Sequence, residues 1–163
     1  MSIAIGRRLL LQLLSLSLGP QWAIASSPPT DSAAIVAAVE EYHEGFRRNA
    51  PSRVTAILGP SFTMFNGNFS GDPLAWEVHM YLAGPRLREW PANFLREAGP
   101  YENHVQVIRV YLRGDAGLVV TEETGRNRFR QWDRELVTYL LGREGGRWRL
   151  VGYFIRDIAN PKQ

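Results

Sequence analysis

Residues 104–157 read HVQVIRVYLRGDAGLVVTEETGRNRFRQWDRELVTYLLGREGGRWRLVGYFIRD. Four runs rich in Val, Ile, Leu, Tyr and Thr stand out: His104–Arg113, Leu118–Thr124, Glu135–Arg143 and Arg147–Asp157. Gly114-Asp115-Ala116-Gly117 separates the first two and Glu144-Gly145-Gly146 the last two. β-branched and aromatic residues suit a pleated surface, and glycine supplies the backbone freedom of a tight reversal, so this half of the chain predicts at least two antiparallel hairpins.

Working back toward the N-terminus, the periodicity changes. Ile35, Val39, Tyr42 and Phe46 recur at helical spacing, with Asp31 or Ser32 as N-cap, and predict a helix to about Arg48. Val36, Glu40, His43 and Arg47 lie on the margin of its apolar stripe. Pro51 opens a second, short helix that stops at Gly59-Pro60, and a short strand, Phe62–Phe65, turns at Asn66-Gly67. Asp72-Pro73 predicts another helix through Leu74, Trp76, His79 and Leu82; Pro85 and Pro91 break any longer one, leaving a turn or two over Pro91–Ala98. Helices first and a strand meander afterwards define an α+β domain with helices packed on one face of the sheet.

The first 25 residues have an export pattern: basic Arg7-Arg8, an apolar run Leu9–Leu18, and the small-x-small site Ala23-Ile24-Ala25. The run is interrupted by Gln12, Ser15 and Ser17 and ends at Gly19-Pro20, short of the roughly 20 residues that span a bilayer. Cleavage after Ala25 would leave a Ser/Pro linker (residues 26–31), one domain (32–158) and a short tail (159–163), in the periplasm or secreted. The arginine pair also resembles a twin-arginine signal, so the export route stays open. Without cysteine there is no lipoprotein anchor, disulfide or thiol nucleophile. Loss of the leader would leave 17 basic and 16 acidic residues, a net charge of +1, too little for a general nucleic-acid or anionic-membrane binder. The basic aromatic stretch Arg126, Arg128, Phe129, Arg130, Trp132 and Arg134 falls between strands and reads as a solvated loop.

The hairpin Val107–Val110 to Gly114-Asp115-Ala116-Gly117-Leu118-Val119-Val120, followed by the final strand Gly145-Gly146-Arg147-Trp148-Arg149-Leu150-Val151, resembles the nuclear transport factor 2-like superfamily, including its SnoaL-like and ketosteroid-isomerase-like cones. The resemblance spans the domain apart from residues 71–100 and is strongest for small exported members of undefined function. It implies a strongly curved, mainly antiparallel sheet wrapped around the N-terminal helices as a cone, whose open end is a pocket. Ketosteroid isomerases carry an oxyanion tyrosine in the region of Tyr42, but Asn66-Gly67 stands where their aspartate base would be, and an amide is no base.

Trp76, His79, Tyr81, Trp90 and Phe94 concentrate amphipathic rings in the segment expected near the cone's mouth, which suits an apolar or aromatic ligand with one polar handle. The expected ligand-binding set is Tyr42, Asn66, Trp76, His79, Trp90, Glu122 and Tyr139. Glu122 is taken as inward-facing if Val120, on the same strand face, is core. The alternative is a cofactor-free lyase or isomerase with Glu122 or Asp157 as base and Tyr42 or His79 as acid; a third reading is a homodimer formed through the exposed sheet face. His43, His79 and His104 have no metal-ligand spacing, and no glycine loop or nucleophile motif is present, so neither metal nor cofactor is expected.

Overall fold

The computed structural model describes residues 29–65, 78–99 and 101–157, with the backbone alone for residues 29, 30 and 157. Their order is α1 (Pro29–Arg47), α2 (Pro51–Ile57), β1 (Leu58–Phe65), β2 (Val78–Ala83), α3 (Gly84–Ala98), β3 (Glu102–Arg113), β4 (Ala116–Arg126), β5 (Gln131–Glu144) and β6 (Arg147–Asp157). The strands form one six-stranded, unclosed sheet in the order β2-β1-β6-β5-β4-β3. All neighbours are antiparallel except β1 and β6, which run parallel. The helices cover one face, giving the expected α+β architecture.

Each element follows from its residues. Ile35, Val39, Tyr42 and Phe46 are all buried, so the helical stripe of α1 is its contact face. The α1 helix begins at Pro29, taking in part of the expected linker, because proline is tolerated in a first turn whose N–H groups have no partner. Asp31 then lies in that turn, where it pairs with Arg143 of β5. Helices α1 and α2 meet closely at Gly45, where a Cβ would stand 2.6 Å from Val54 Cγ2.

Residues 78–99 depart furthest from expectation. His79 and Leu82 belong to strand β2, paired with β1 from Ser61↔Ala83 to Met64↔Met80, rather than to a helix opened at Asp72-Pro73, a start that lies outside the described residues. The alternation in V-H-M-Y-L-A buries Leu82 and leaves Tyr81 exposed, the period of a strand. Helix α3 runs unbroken through Pro91: the lost N–H removes one bond, while the ring is buried among the core side chains. Pro60, with no N–H to give, falls within the register shift between β1 and β6.

The hairpins turn where the glycines predict, with Gly145 and Gly146 both at positive φ (55° and 76°), the backbone of a tight two-residue loop. Strands β3, β4 and β5 extend beyond the expected runs. In β4 the buried residues are Gly117, Val119, Thr121 and Glu123. The inward parity is therefore the opposite of that assigned from Val120, and Glu122 points to the outer face.

Candidate functional site

The core enclosed by α1, α3 and the sheet is aromatic. Tyr139 lies 5.9 Å from Tyr42 between ring centroids, Tyr42 lies 4.9 Å from Phe46, and Phe46 meets Phe94 at 5.7 Å and Trp90 at 6.1 Å. Phe62 stacks on Trp90 at 5.7 Å and meets Tyr153 at 5.5 Å. An unbroken path of rings thus runs from the interior strand residue Tyr139 to half-buried Trp90 and Phe94 on α3. Tyr101 and exposed Phe129 continue it, at 6.4 Å and 6.1 Å from Phe94.

At the inner end of this path lies a polar cluster. Glu123, 5% exposed, and His43, 3% exposed, approach to 3.3 Å between Oε1 and Nε2. The Tyr139 hydroxyl donates to Glu123 Oε1 at 2.7 Å and lies 2.8 Å from His43 Nε2, while Thr121 donates to the same Oε1 at 2.7 Å. His43 Nδ1 meets Asn103 Nδ2 at 2.6 Å. Strand parity places Thr121 and Glu123 inward, the register sets Tyr139 of β5 opposite Val119 of β4, and α1 brings His43 onto them. All these contacts to the carboxylate use Oε1; Oε2 is not engaged by them.

Burial pushes the Glu123 carboxyl up, but His43 beside it and the hydrogen bonds from Thr121 and Tyr139 outweigh that, holding it below the ordinary carboxylate value. Burial raises the Tyr42 and Tyr139 phenols well above 10.0 and, more than the opposing Arg130 charge, takes Tyr101 to about 12. The interior therefore combines an ionised carboxylate with neutral phenols. Glu135, directly opposite Glu123 in the β4–β5 register, is also buried. Two like charges in that position repel, and Glu135 has its own cation: Arg130 pairs with it and lies 4.7 Å from the Trp132 ring.

The expected site residues divide. Tyr42, Trp90 and Tyr139 come together in the interior; Asn66 and Trp76 lie outside the described residues. Glu122 instead pairs with Arg134 at 2.8 Å on the outer face, and exposed His79 sits on the edge strand β2. Asp157, described by its backbone, ends β6 opposite Glu135. Sequence reasoning left out Glu123, Thr121, His43 and Asn103. The signal for Glu123 was its neighbour: of two adjacent glutamates on a strand, one must face inward. His43 next to Tyr42 on α1 was similarly within reach.

An open recess of about 460 Å³ lies beside the cone, lined by Glu102, Asn103, Thr124, Gln131, Trp132 and Asp133 among others. Its largely polar lining does not suit an apolar ligand, and it meets the buried cluster at Asn103. Among the described residues there is no group of three or more acidic or histidine side chains able to hold a metal ion. Nor, among them, is any helix long and apolar enough to cross a membrane.

No family model matches the sequence, and no curated protein does. Solved structures do match in shape. A ketosteroid isomerase-like protein from Erwinia carotovora atroseptica superposes with a TM-score of 0.58 at 17% identity, covering 81% of this chain and 99% of that one. A nuclear transport factor 2-like protein of unknown function from Pseudomonas putida gives 0.58 at 14%, covering 83% and 94%. A domain of unknown function with a cystatin-like fold from Nostoc punctiforme gives 0.60 at 12%, covering 80% and 79%. Identities this low carry the fold and nothing of the activity.

Proposed function

From the premise of a nuclear transport factor 2-like cone, we propose that this protein binds a small, largely apolar or aromatic molecule, with Glu123 as its polar anchor. The observation that carries this reading is a carboxylate, 5% exposed and accepting from Thr121 and Tyr139, at the end of a continuous aromatic path to the half-buried rings of α3. Rings supply dispersion and area, and one oriented charge supplies direction, the usual division of labour in small-molecule sites. Stability alone is a weak reason for the cluster, since an apolar packing of similar volume generally folds at least as well as a buried polar or charged cluster.

The same cluster is poorly set for general-base catalysis. A base works best with its pKa near the operating pH, and the hydrogen bonds that Thr121 and Tyr139 give Glu123 favour its ionised form instead. This favours an anchor over the lyase or isomerase alternative. Trp90 and Phe94 would flank the ligand, and Tyr42 and Tyr139 would form the inner wall.

The test is a calorimetric titration with 2-naphthol, an aromatic probe with one polar group. Wild-type protein is expected to bind it saturably, and Glu123→Gln to weaken it about ten- to a hundredfold, as hydrogen bonds to charged groups contribute roughly 1.5–3 kcal/mol. Glu122→Gln, on the outer face, should leave affinity unchanged. Equal loss in both variants, with the fold intact by circular dichroism, would remove Glu123 from the site.

A homodimer formed through the sheet is a second reading, compatible with the first. Ile108, Tyr111 and Leu118 are 44%, 49% and 36% exposed on the outer face, and Tyr111 stands opposite Leu118, itself opposite Leu140. Apolar rows of this kind characterise surfaces that become covered.

A further inference from the structure

We propose that Asn103 fixes the proton inventory of the buried cluster, so that the ligand's polar handle must be a hydrogen-bond donor. This deepens the binding reading above and rests on it for the ligand class; Asn103 acts as a positioning residue, through His43.

The chain of directions begins at Arg47. Its guanidinium donates to Asn103 Oδ1 at 3.2 Å, and a guanidinium can only donate. The amide oxygen is therefore turned toward Arg47 and the amide nitrogen toward His43 Nδ1, 2.6 Å away. An amide N–H can only donate, so Nδ1 accepts and carries no proton. In its neutral form the imidazole is then the tautomer with its hydrogen on Nε2, as its bonding partners dictate.

That hydrogen faces the Tyr139 hydroxyl, 2.8 Å away. With its oxygen accepting from His43, Tyr139 gives its one proton to Glu123 Oε1 at 2.7 Å. Thr121 gives its proton to the same oxygen at 2.7 Å; the Val137 carbonyl, at 3.4 Å, is the longer and uncharged alternative. The protons of His43, Tyr139 and Thr121 are thus committed, and the acceptor outside these bonds is Glu123 Oε2. At its Glu123 end such a site takes a hydroxyl or N–H group in preference to a ketone or ether oxygen, while a carboxylate would be repelled.

Two measurements on the folded protein test this. In a variant with His79 and His104 replaced by Gln, His43 is the only imidazole of the described domain, and its two nitrogens are distinguished by long-range proton–nitrogen NMR at pH 8. The expected spectrum has an unprotonated Nδ1 and a protonated Nε2. Adding Asn103→Asp, which presents only acceptors, should place a proton on Nδ1. A protonated Nδ1 with Asn103 in place, or a spectrum that Asn103→Asp leaves unaltered, overturns the role of Asn103.

The second measurement compares 2-naphthol with 2-methoxynaphthalene, an acceptor-only analogue, on wild-type protein. Tighter binding of 2-naphthol by roughly tenfold or more supports the donor requirement, as expected for loss of one charge-assisted hydrogen bond. Equal binding overturns it. Failure of both probes to bind overturns the ligand reading itself, and the NMR result then still decides whether Asn103 sets the tautomer.

Discussion

Glu122 and Glu123 differ by one position along β4, and that single step separates a surface ion pair from the charged centre of the cone. Glu122 meets Arg134 across the outer face; Glu123 meets His43, Thr121 and Tyr139 within. The alternation was legible, but its phase was not, because Val119 and Val120 are equally apolar and either could have been core. Packing against α1 decides it: Gly117, two positions before Val119, lies under Ile35, where a Cβ would be 3.2 Å from Ile35 Cδ1. The buried carboxylate makes stability depend on pH in a definite sense. The folded pKa of Glu123 is lowered from 4.5, so its ionised form adds stability above about that pH, and the contribution is lost as pH falls through the folded value. Urea titrations from pH 7 to pH 3 should therefore show wild-type stability falling more steeply below the ordinary carboxylate value than that of Glu123→Gln, with the two curves converging in acid. Parallel curves throughout would mean that Glu123 is not preferentially ionised in the folded state.

At the level of elements, the turn glycines and the β-rich runs marked β3 to β6, and helical spacing marked α1 and α2. Strand β2 and the continuous α3 were not legible. The short β2 is an edge strand whose identity depends on pairing with β1, a contact absent from its own six residues, and prolines within residues 84–98 argued locally against a helix that tertiary packing supports. The end of β4 carries another long-range constraint. At Gly125 the register shifts between β4 and β5, and a Cβ would stand 2.5 Å from both the Glu102 carbonyl and Trp132 Cζ2, and 2.9 Å from Asn103 Cβ. Two of these atoms cannot swing away as the tip of a flexible side chain would. Gly125→Ala should therefore destabilise the domain by about 1–3 kcal/mol, the usual cost of overpacking, as read from the denaturant midpoint. Because Asn103 is among the displaced groups, the His43 signals should shift with it; an unchanged midpoint would show that the strand ends relax freely.

For the whole molecule, fold and function were legible to different depths. The cone was readable from hairpin glycines, strand composition and one amphipathic helix, since those features are local and repeated along the chain. The polar centre was not, because it is assembled from α1, β3, β4 and β5, with the Asn103–His43 contact 60 positions apart and the Tyr139–His43 contact 96 apart. Of the rings expected together near the mouth, Trp90 and Phe94 share one cluster and Trp76 lies outside the described residues, whereas Tyr81 is exposed and His79 is a surface residue of the sheet edge. We propose, from the basic start, apolar run and small-residue site of the first 25 residues, that the domain works after export, where a ligand would be met outside the cytoplasm. The central claim is that the aromatic cone holds a small molecule anchored on Glu123, and native mass spectrometry of the protein purified from its own host tests it most directly. The account predicts a particle heavier than its polypeptide by one small molecule per chain, lost in Glu123→Gln; a particle of bare polypeptide mass, whether monomer or dimer, and no saturable binding of aromatic probes would contradict it.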